Sequence, residues 1–286
     1  MAELRVDPLT GARVMIEGRR QRRPRTGESD CPFCPGGTEA PDPYRVRRFP
    51  NRWPALGEGR CDVLLYSPDH EAAWATMGVE QAVRAVGMWR DCTLDLGSRP
   101  GVGYVLLFEN RGAAAGATVD HPHGQAFGLA EPPPTTTAQL RRGADGGPCP
   151  LCAGPARELL VATDGDWSAW VPEAPLYPYA LRLAPREHIA DLPTCGPEAL
   201  SSLARLLTTV LRRVDRFFGG PAPYFLWVHQ RPTDGGVWPS AHLYLEIDVV
   251  WRSPGVPRYV AAGELGSGIY FTSLEPEVTA RRLREA

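Results

Sequence analysis

The chain has 286 residues, of which 43% are hydrophobic and 22% are charged, and its formal net charge at pH 7 is −2. These values are typical of a globular protein with a sizeable core, and they exclude a general electrostatic attraction to nucleic acid or to membrane surfaces. All 31 basic residues are arginine. The absence of lysine excludes Schiff-base chemistry and a Walker A loop, because both need a lysine amine.

The apolar segments of the chain are short. None approaches the roughly 18 residues of a membrane-spanning helix, and the first residues, MAELRVDPLTG, lack the apolar region of a signal peptide. We therefore expect a cytoplasmic protein that binds neither membrane nor nucleic acid. In that reducing compartment, CxxC pairs indicate metal or redox sites rather than disulfides.

The first half of the chain carries a CxxC pair, two strands with a helix between them, and a histidine motif. These are CPFC at 31–34, a strand-like segment at 61–70, a helical pattern that opens near Gly78, a strand-like segment at 103–110 and DHPHGQ at 120–125. The helical pattern follows from apolar residues three and four positions apart.

The second half repeats the first in the same order. CPLC at 149–152 lies 118 residues after CPFC, and the same shift places His188 on His70. A helical pattern opens again near Gly196, and the strand-like segment at 223–230 lies 120 residues after its counterpart. Because spacing, strands and helices recur together, an internal repeat explains them better than coincidence does.

The repeat predicts an α+β fold of two tandem half-units that join their sheets or pack them together. The half-units cover 1–131 and 149–286, and the Pro, Thr and Gly content of 132–148 is typical of a linker or loop. A C-terminal helix near 275–285 is expected to close the fold. The apolar faces of the two main helices are Val79, Val83, Val86 and Trp89 in the first half, and Leu200, Leu203, Leu207, Val210, Val214 and Phe217 in the second.

Each half offers the ligands of a tetrahedral zinc site. Besides the CxxC pair and the histidine at a strand end, a further histidine follows the second strand of each half. The predicted sets are Cys31, Cys34, His70 and His121, and Cys149, Cys152, His188 and His242. Four protein ligands leave no open coordination position, so both zinc ions are predicted to be structural. A thioredoxin-like redox pair is the alternative, but it explains neither the second CxxC nor the equally spaced histidines.

The motif DHPHGQ combines a metal ligand with a second histidine. In an extended segment, His121, His123 and Gln125 point to one side. If His121 binds zinc, His123 is held nearby without being a ligand, and Gln125 supplies an amide donor beside it. Gly124 is expected to let a ligand approach the backbone closely. The corresponding residues of the second half are His242, Tyr244 and Glu246. The chain therefore has one candidate reactive centre, although a hydrogen-bonded loop histidine is the simpler alternative for His123.

Five segments together resemble galactose-1-phosphate uridylyltransferases, within the histidine-triad superfamily. They are RVDPLTGARVMIEGRRQRRPR, FPNRWPAL, FENRGAAAGATVDHPHGQ, LWVHQRP and RYVAAGE, and they span the chain nearly from end to end. The resemblance implies two tandem histidine-triad-like half-units with antiparallel sheets and flanking helices. It also implies transfer of UMP between UDP-glucose and galactose 1-phosphate through a covalent nucleotide on His123, with Gln125 as the second catalytic residue.

The resemblance implies binding roles for further residues and an assembly. The nucleotide-binding residues that it implies are Arg20, Arg23, Asn51, Asn110, Thr118 and Gln125. The sugar-binding residues that it implies are Arg258 and Glu264 in the C-terminal tail. It further implies a homodimer in which the tail of one chain reaches the nucleotide site of the other.

Three features depart from the family's usual pattern. Some members bind a second metal, often iron, through a glutamate and three histidines, but Ser240 stands where one of those ligands would be, and the second CxxC favours zinc. Arg258 occupies a position that is often lysine, and AGELGSG differs from the usual sugar segment. The base, the sugar and the acceptor therefore stay open. A nucleotide-sugar phosphorylase or hydrolase is the nearer alternative, and a non-catalytic zinc-containing binding protein is the more distant one.

Overall fold

The strands and helices follow the order that the repeat predicts. The computed structural model describes residues 3–18, 31–144 and 147–286. The strands are β1 (Glu3–Val6), β2 (Arg13–Ile16), β3 (Arg47–Pro50), β4 (Cys61–Leu65), β5 (Tyr104–Arg111), β6 (His123–Leu129), β7 (Leu160–Asp164), β8 (Trp167–Trp170), β9 (Ala180–Pro185), β10 (Tyr224–His229), β11 (Tyr244–Val249), β12 (Trp251–Ser253) and β13 (Val256–Pro257). The helices are α1 (Val79–Gly97), α2 (Pro134–Ala144), α3 (Pro150–Ala153), α4 (Pro197–Phe218), α5 (Ala262–Ser267) and α6 (Pro276–Glu285).

Nine of the strands form one antiparallel sheet in the order β3-β4-β6-β5-β10-β11-β9-β8-β7. The strands of each half are contiguous, and the halves join where β5 pairs with β10, with Phe225 opposite Asn110 and Leu226 opposite Glu109. The predicted α+β class with antiparallel strands is confirmed. Of the two arrangements that the repeat allows, the protein joins its sheets edge to edge, which leaves neither central strand with an exposed edge.

Two long helices, α1 and α4, pack against each other and against the sheet in one hydrophobic core. The predicted apolar face of α4 is buried, from Leu200 to Val214, because residues three and four apart share one side of a helix. In α1 the buried stretch begins at Ala82, so Val79, the first residue of the helix, is exposed rather than part of the core. Within the described ranges, no helix has the length and apolar character that crossing a membrane requires.

The two faces of the sheet differ in character, and this difference positions the site. On β5 and β6, Leu107 lies opposite Ala126, and both side chains belong to the core that α1 and α4 cover. The neighbouring pair, Phe108 and Gln125, points to the other face because side chains alternate along a strand. His123, two residues before Gln125, therefore also lies on the face away from the helices.

Residues 132–148 contain a helix, which differs from the prediction of a linker or loop. Proline is accommodated in the first turn of α2, where its missing N–H has no intrahelical acceptor. Leu140 is buried, and its carbonyl oxygen accepts a hydrogen bond from Ser240 Oγ at 2.9 Å. Tertiary contacts with the second half thus favour a helix that the Pro, Thr and Gly content alone disfavours.

Candidate active site and metal centres

The first CxxC pair meets two histidines. Cys34 Sγ lies 3.5 Å from His70 Nδ1 and 3.6 Å from His121 Nδ1, and Cys31 Sγ lies 3.8 Å from His121 Nδ1. The four ligand atoms all lie within 4.8 Å of one another. In a tetrahedral zinc site with bonds of about 2.3 Å to sulfur and about 2.0 Å to nitrogen, sulfur and nitrogen are about 3.6 Å apart. The cluster therefore fits a metal ion of that size.

Hydrogen bonds turn the ring of His121 toward the cysteines. Its Nε2 lies 2.8 Å from the Ser67 carbonyl oxygen and 2.9 Å from the Tyr44 hydroxyl, so Nε2 carries the hydrogen and Nδ1 offers its lone pair to the cluster. Burial lowers the pKa of His121, which favours the neutral form that binds metals. Tyr44 also donates to the Phe33 carbonyl oxygen at 2.6 Å. Sequence reasoning missed Tyr44, because no motif includes it and only the folded loop brings it to the cluster.

The second cluster repeats this geometry. Cys149 Sγ lies 3.3 Å from His242 Nδ1, and Cys152 Sγ lies 3.3 Å from His188 Nδ1 and 3.6 Å from His242 Nδ1. The four ligand atoms again lie within 4.8 Å of one another. Nε2 of His242 lies 2.9 Å from the carbonyl oxygen of Pro185, an arrangement that directs Nδ1 toward the cysteines. Both predicted ligand sets therefore come together in the structure.

His123 occupies the first position of β6, next to the first cluster but outside it. Its side chain is buried, and its Nδ1 lies 2.7 Å from the carbonyl oxygen of His121. Because a carbonyl can only accept, Nδ1 carries the hydrogen and the lone pair of the neutral ring is on Nε2. Phe33, between the two cysteines, lies edge-on to the ring of His123 with centroids 5.1 Å apart. The CxxC loop thus packs directly against the candidate nucleophile.

Four of the residues that the resemblance implies share one cavity. The cavity measures about 140 Å³ and includes Asn51, Thr118, His123 and Gln125 in its lining. Asn51 Nδ2 donates to Gln125 Oε1 at 3.3 Å, and Asn51 Oδ1 accepts the backbone N–H of Trp53 at 2.8 Å. These bonds fix both amides and turn the Gln125 amide nitrogen away from Asn51. The cavity therefore combines an imidazole with amide and hydroxyl groups suited to a phosphate.

Gly124 is needed for packing inside the sheet rather than for the approach of a ligand. A Cβ atom at this position would lie 1.9 Å from the hydroxyl oxygen of Tyr66 and 3.1 Å from the backbone oxygen of Phe108. Tyr66 is buried in the core between the sheet and α1. The expectation that Gly124 opens the backbone to a ligand is thus replaced by a steric requirement on the core side of β6.

The remaining residues implied by the resemblance do not line this cavity. Asn110 lies on β5 two residues after Phe108, on the same face of the sheet as Gln125. Arg258 and Glu264 are both buried and form an ion pair with each other. Arg20 and Arg23 lie outside the described residues.

Comparison with known proteins identifies the relatives of this chain. The family model for the N-terminal domain of galactose-1-phosphate uridyl transferase matches residues 53–133. A galactose-1-phosphate uridylyltransferase from Thermotoga maritima is 30% identical over 315 residues, which cover 100% of this chain and 98% of the relative. A solved uridylyltransferase structure superposes with a TM-score of 0.90 at 26% identity, covering 100% of this chain and 98% of the other.

A relative that carries the name of a different activity is also similar along most of its length. An ADP-glucose phosphorylase from Arabidopsis thaliana is 25% identical over 334 residues, which cover 99% of this chain and 92% of the relative.

Proposed function

The chain belongs to the galactose-1-phosphate uridylyltransferase family, and we propose that it transfers UMP from UDP-glucose to galactose 1-phosphate, yielding glucose 1-phosphate and UDP-galactose. The enzyme from Thermotoga maritima that is similar along nearly its whole length carries the name of this activity. The observation that carries the proposal is the 2.7 Å hydrogen bond from Nδ1 of His123 to the carbonyl oxygen of His121, because it sets the tautomer that a nitrogen nucleophile needs.

The reaction takes place in two displacements on one phosphorus atom. In the first, Nε2 of His123 attacks the α-phosphorus of UDP-glucose, and the P–O bond to glucose 1-phosphate breaks as the P–N bond forms. Glucose 1-phosphate leaves with the electron pair, and His123 becomes a uridylylated imidazolium with its hydrogen still on Nδ1. In the second, a phosphate oxygen of galactose 1-phosphate attacks the same phosphorus and the P–N bond breaks. Neither displacement requires a proton transfer, and the carbonyl of His121 stabilises the imidazolium.

The polar groups of the cavity stabilise the charge on the transferred phosphoryl group. The amide nitrogen of Gln125 is assigned to an equatorial phosphate oxygen, with Asn51, Thr118 and Asn110 contacting the nucleotide. Donors held in place before the reaction stabilise the transition state more than donors that must reorganise, and the bond from Asn51 to Gln125 holds this amide. Arg20 and Arg23 are assigned to the nucleotide phosphates on the resemblance of their segment.

Both Cys-Cys-His-His clusters are proposed to hold zinc. Two thiolates and two imidazoles at tetrahedral spacing are the donor set of structural zinc, and four protein ligands leave no coordination position for substrate. A zinc ion at the first cluster would contribute folding free energy. It would also hold the CxxC loop, and with it Phe33, against His123.

We propose a homodimer in which the C-terminal tail, residues 258–271, faces the nucleotide site of the other chain. The tail exposes large apolar side chains, with Tyr259 79%, Leu265 71% and Phe271 71% accessible, and such a patch is typical of a surface that a partner covers. The ion pair of Arg258 with Glu264 would fix the tail so that this segment contacts the sugar. Light scattering that finds only single chains in active protein would contradict this assembly.

A nucleotide-sugar phosphorylase is the second candidate, and the similarity to an ADP-glucose phosphorylase favours it. The first displacement on His123 would be the same in both enzymes. The difference lies in the acceptor, which is inorganic phosphate in a phosphorylase and a sugar 1-phosphate in a transferase. We place either activity in the cytoplasm.

Mass spectrometry of the intact protein tests the proposal. The protein is incubated with UDP-glucose or with ADP-glucose, and the mass that remains on it is measured. The transferase proposal expects one UMP per chain, which galactose 1-phosphate removes as UDP-galactose while inorganic phosphate does not. Retention of AMP and its release by inorganic phosphate would instead support the phosphorylase. If no nucleotide is retained and no transfer is detected, both are wrong.

A further inference from the structure

The second half has a cavity of its own where the repeat places the counterpart of the His123 cavity. It measures about 460 Å³, and the CPLC residues Pro150 and Leu151 line it as the CPFC residues Pro32 and Phe33 line the first. Tyr244, the first residue of β11, lines it in the position that the nucleophile has on β6. The repeat thus builds a second pocket of the same design, with a phenol in place of the imidazole.

Two arginines line this second cavity, which also includes Cys149, His188 and His242 of the second cluster in its lining. Arg142 of α2 and Arg182 of β9 line it, and among the residues that the structure describes no carboxylate does. Arg182 forms an ion pair with Glu246, which is not part of the lining. In the described ranges, Arg142 has no carboxylate at ion-pair distance. An anion in the cavity would therefore meet two guanidinium groups, of which only one has its charge balanced by the protein.

Arg182 is held in place by packing on two sides. Its guanidinium lies 5.4 Å from the ring centroid of Tyr244, and that ring is stacked on His229 at 4.2 Å. Glu246 contacts both Arg182 and His229. Burial alone would raise the pKa of Glu246, but the contact with His229 and the charge of Arg182 lower it to about 2. A guanidinium that is already ordered loses little conformational entropy when it binds a phosphate.

From these features we infer that the second half binds a nucleoside monophosphate reversibly, with its phosphate on Arg142 and Arg182. The cavity lies within the roughly 300–1,000 Å³ of small-molecule sites, and Leu140 and Leu151 offer apolar surface for a base. Since Tyr244 replaces the nucleophile, the ligand is not transferred to the protein. The inference rests on the proposed function, because the repeat is what extends nucleotide recognition from the first cavity to the second.

Two measurements on the full-length, metal-loaded protein separate the two cavities. The protein is first uridylylated with UDP-glucose and freed of small molecules, and the covalent nucleotide is counted by mass spectrometry. Equilibrium dialysis with labelled UMP then counts the exchangeable nucleotide. We expect one covalent UMP and one exchangeable UMP per chain.

Neighbouring arginines on α2 supply a matched pair of variants. Both Arg141 and Arg142 are exposed, but only Arg142 lines the cavity. Arg142→Glu should weaken exchangeable UMP binding at least about tenfold, the usual loss for a charged hydrogen bond, and leave uridylylation unchanged. Arg141→Glu should bind UMP like the wild type. Arg142→Gln removes the charge without reversing it, so its affinity for UMP should lie between those of the wild type and Arg142→Glu.

The outcomes distinguish this inference from the proposed function. Covalent UMP without exchangeable UMP would overturn the inference and leave the proposed function in place. Exchangeable UMP that depends on Arg142, without covalent UMP, would support the inference and contradict the proposed function. Equal losses in the Arg141 and Arg142 variants would show a general charge effect and overturn the assigned site. Displacement of UMP by inorganic phosphate at the same concentration would overturn the assignment of a nucleoside ligand.

Discussion

At the scale of the residue, His121 and His123 show how backbone contacts give neighbouring histidines different chemistry. His121 has Nε2 at the Ser67 carbonyl oxygen and Nδ1 at the cysteines. His123 has Nδ1 at the carbonyl oxygen of His121, two residues earlier. The two rings therefore use opposite nitrogens: His121 directs Nδ1 to the cysteines, and His123 has its lone pair on Nε2.

Substitution of each histidine should give a different failure. His123→Gly should lower the rate of UMP transfer by about 10⁴-fold or more, as expected for a lost nucleophile, and keep the fold and both metal ions. His121→Ala should lose the metal of the first half and lower the melting temperature. Turnover, metal content and thermal unfolding are measured on both variants. Covalent nucleotide on the His123→Gly protein would rule out this residue as the nucleophile.

At the scale of the element, β6 and β11 occupy equivalent positions in the two halves and meet different constraints. β6 passes so close to Tyr66 that only glycine fits at position 124. β11 carries Asp248, whose side chain is buried. The charges of Glu246 on the same strand and of Arg182 and Arg258 act on its carboxyl group. Strand packing thus sets a steric requirement in one half and an electrostatic one in the other.

The steric requirement at position 124 predicts that two glycine substitutions change the free energy of unfolding in opposite directions. Gly124→Ala should lower the free energy of unfolding by about 1–3 kcal/mol, because its methyl group overlaps the Tyr66 hydroxyl in a packed core. Gly87→Ala, inside α1, has open space around the new Cβ and should raise that free energy by about 0.5–1 kcal/mol. Denaturant unfolding measures both. Equal stability of Gly124→Ala and wild type would show that β6 can shift away from Tyr66.

The electrostatic requirement predicts a pH-dependent gain from Asp248→Asn. Burial first and the charge of Glu246 second raise the pKa of Asp248 from 3.8 to about 7. Between these values the native carboxyl keeps its proton while the unfolded one ionises, so the stability of the wild type falls as pH rises toward 7. Asparagine has no such loss. The stability advantage of the variant should therefore grow by about 2–3 kcal/mol between pH 5 and pH 8. The free energy of unfolding is measured for both proteins at each pH. A difference between them that stays constant from pH 5 to pH 8 would contradict the raised pKa of Asp248.

At the scale of the whole molecule, the halves are connected by polar contacts as well as by the shared sheet. Glu109 of β5 accepts hydrogen bonds from Trp74 Nε1 in the first half and from the Tyr224 hydroxyl in the second, both at 2.7 Å. Arg111 of β5 makes a bidentate contact at 2.7 and 2.8 Å with Asp215 of α4. The two Cys-Cys-His-His clusters, in contrast, each draw all four side chains from one half.

Because each cluster lies within one half, the metal ions should be lost independently. Cys31→Ser and Cys149→Ser should each retain one zinc ion per chain instead of two and lower stability by several kcal/mol, since structural zinc binding contributes directly to folding. Cys195 is a buried cysteine outside both clusters, so the Cys195→Ala variant should keep two zinc ions per chain. Elemental analysis of the purified variants measures the content. Wild-type protein with one zinc ion or none would rule out the two-site arrangement.

The sequence by itself determined the two Cys-Cys-His-His sets and the correspondence of strands and helices between the two halves. Cys31, Cys34, His70 and His121 could be chosen because metal chemistry accepts few residue types, and the repeat tested the choice a second time. The apolar period of α4 likewise determined its buried face. These inferences succeed because the relevant information is local spacing along one chain.

Only the tertiary structure decided how the halves meet and what surrounds the site. Contacts between residues distant in sequence decide that β5 pairs with β10 and that residues 134–144 form a helix against Ser240. Such contacts also decide that Gly124 faces Tyr66 and that Tyr44 reaches His121. Composition and the spacing of apolar residues do not identify such partners, because packing and hydrogen bonding between separate elements form only when the chain folds.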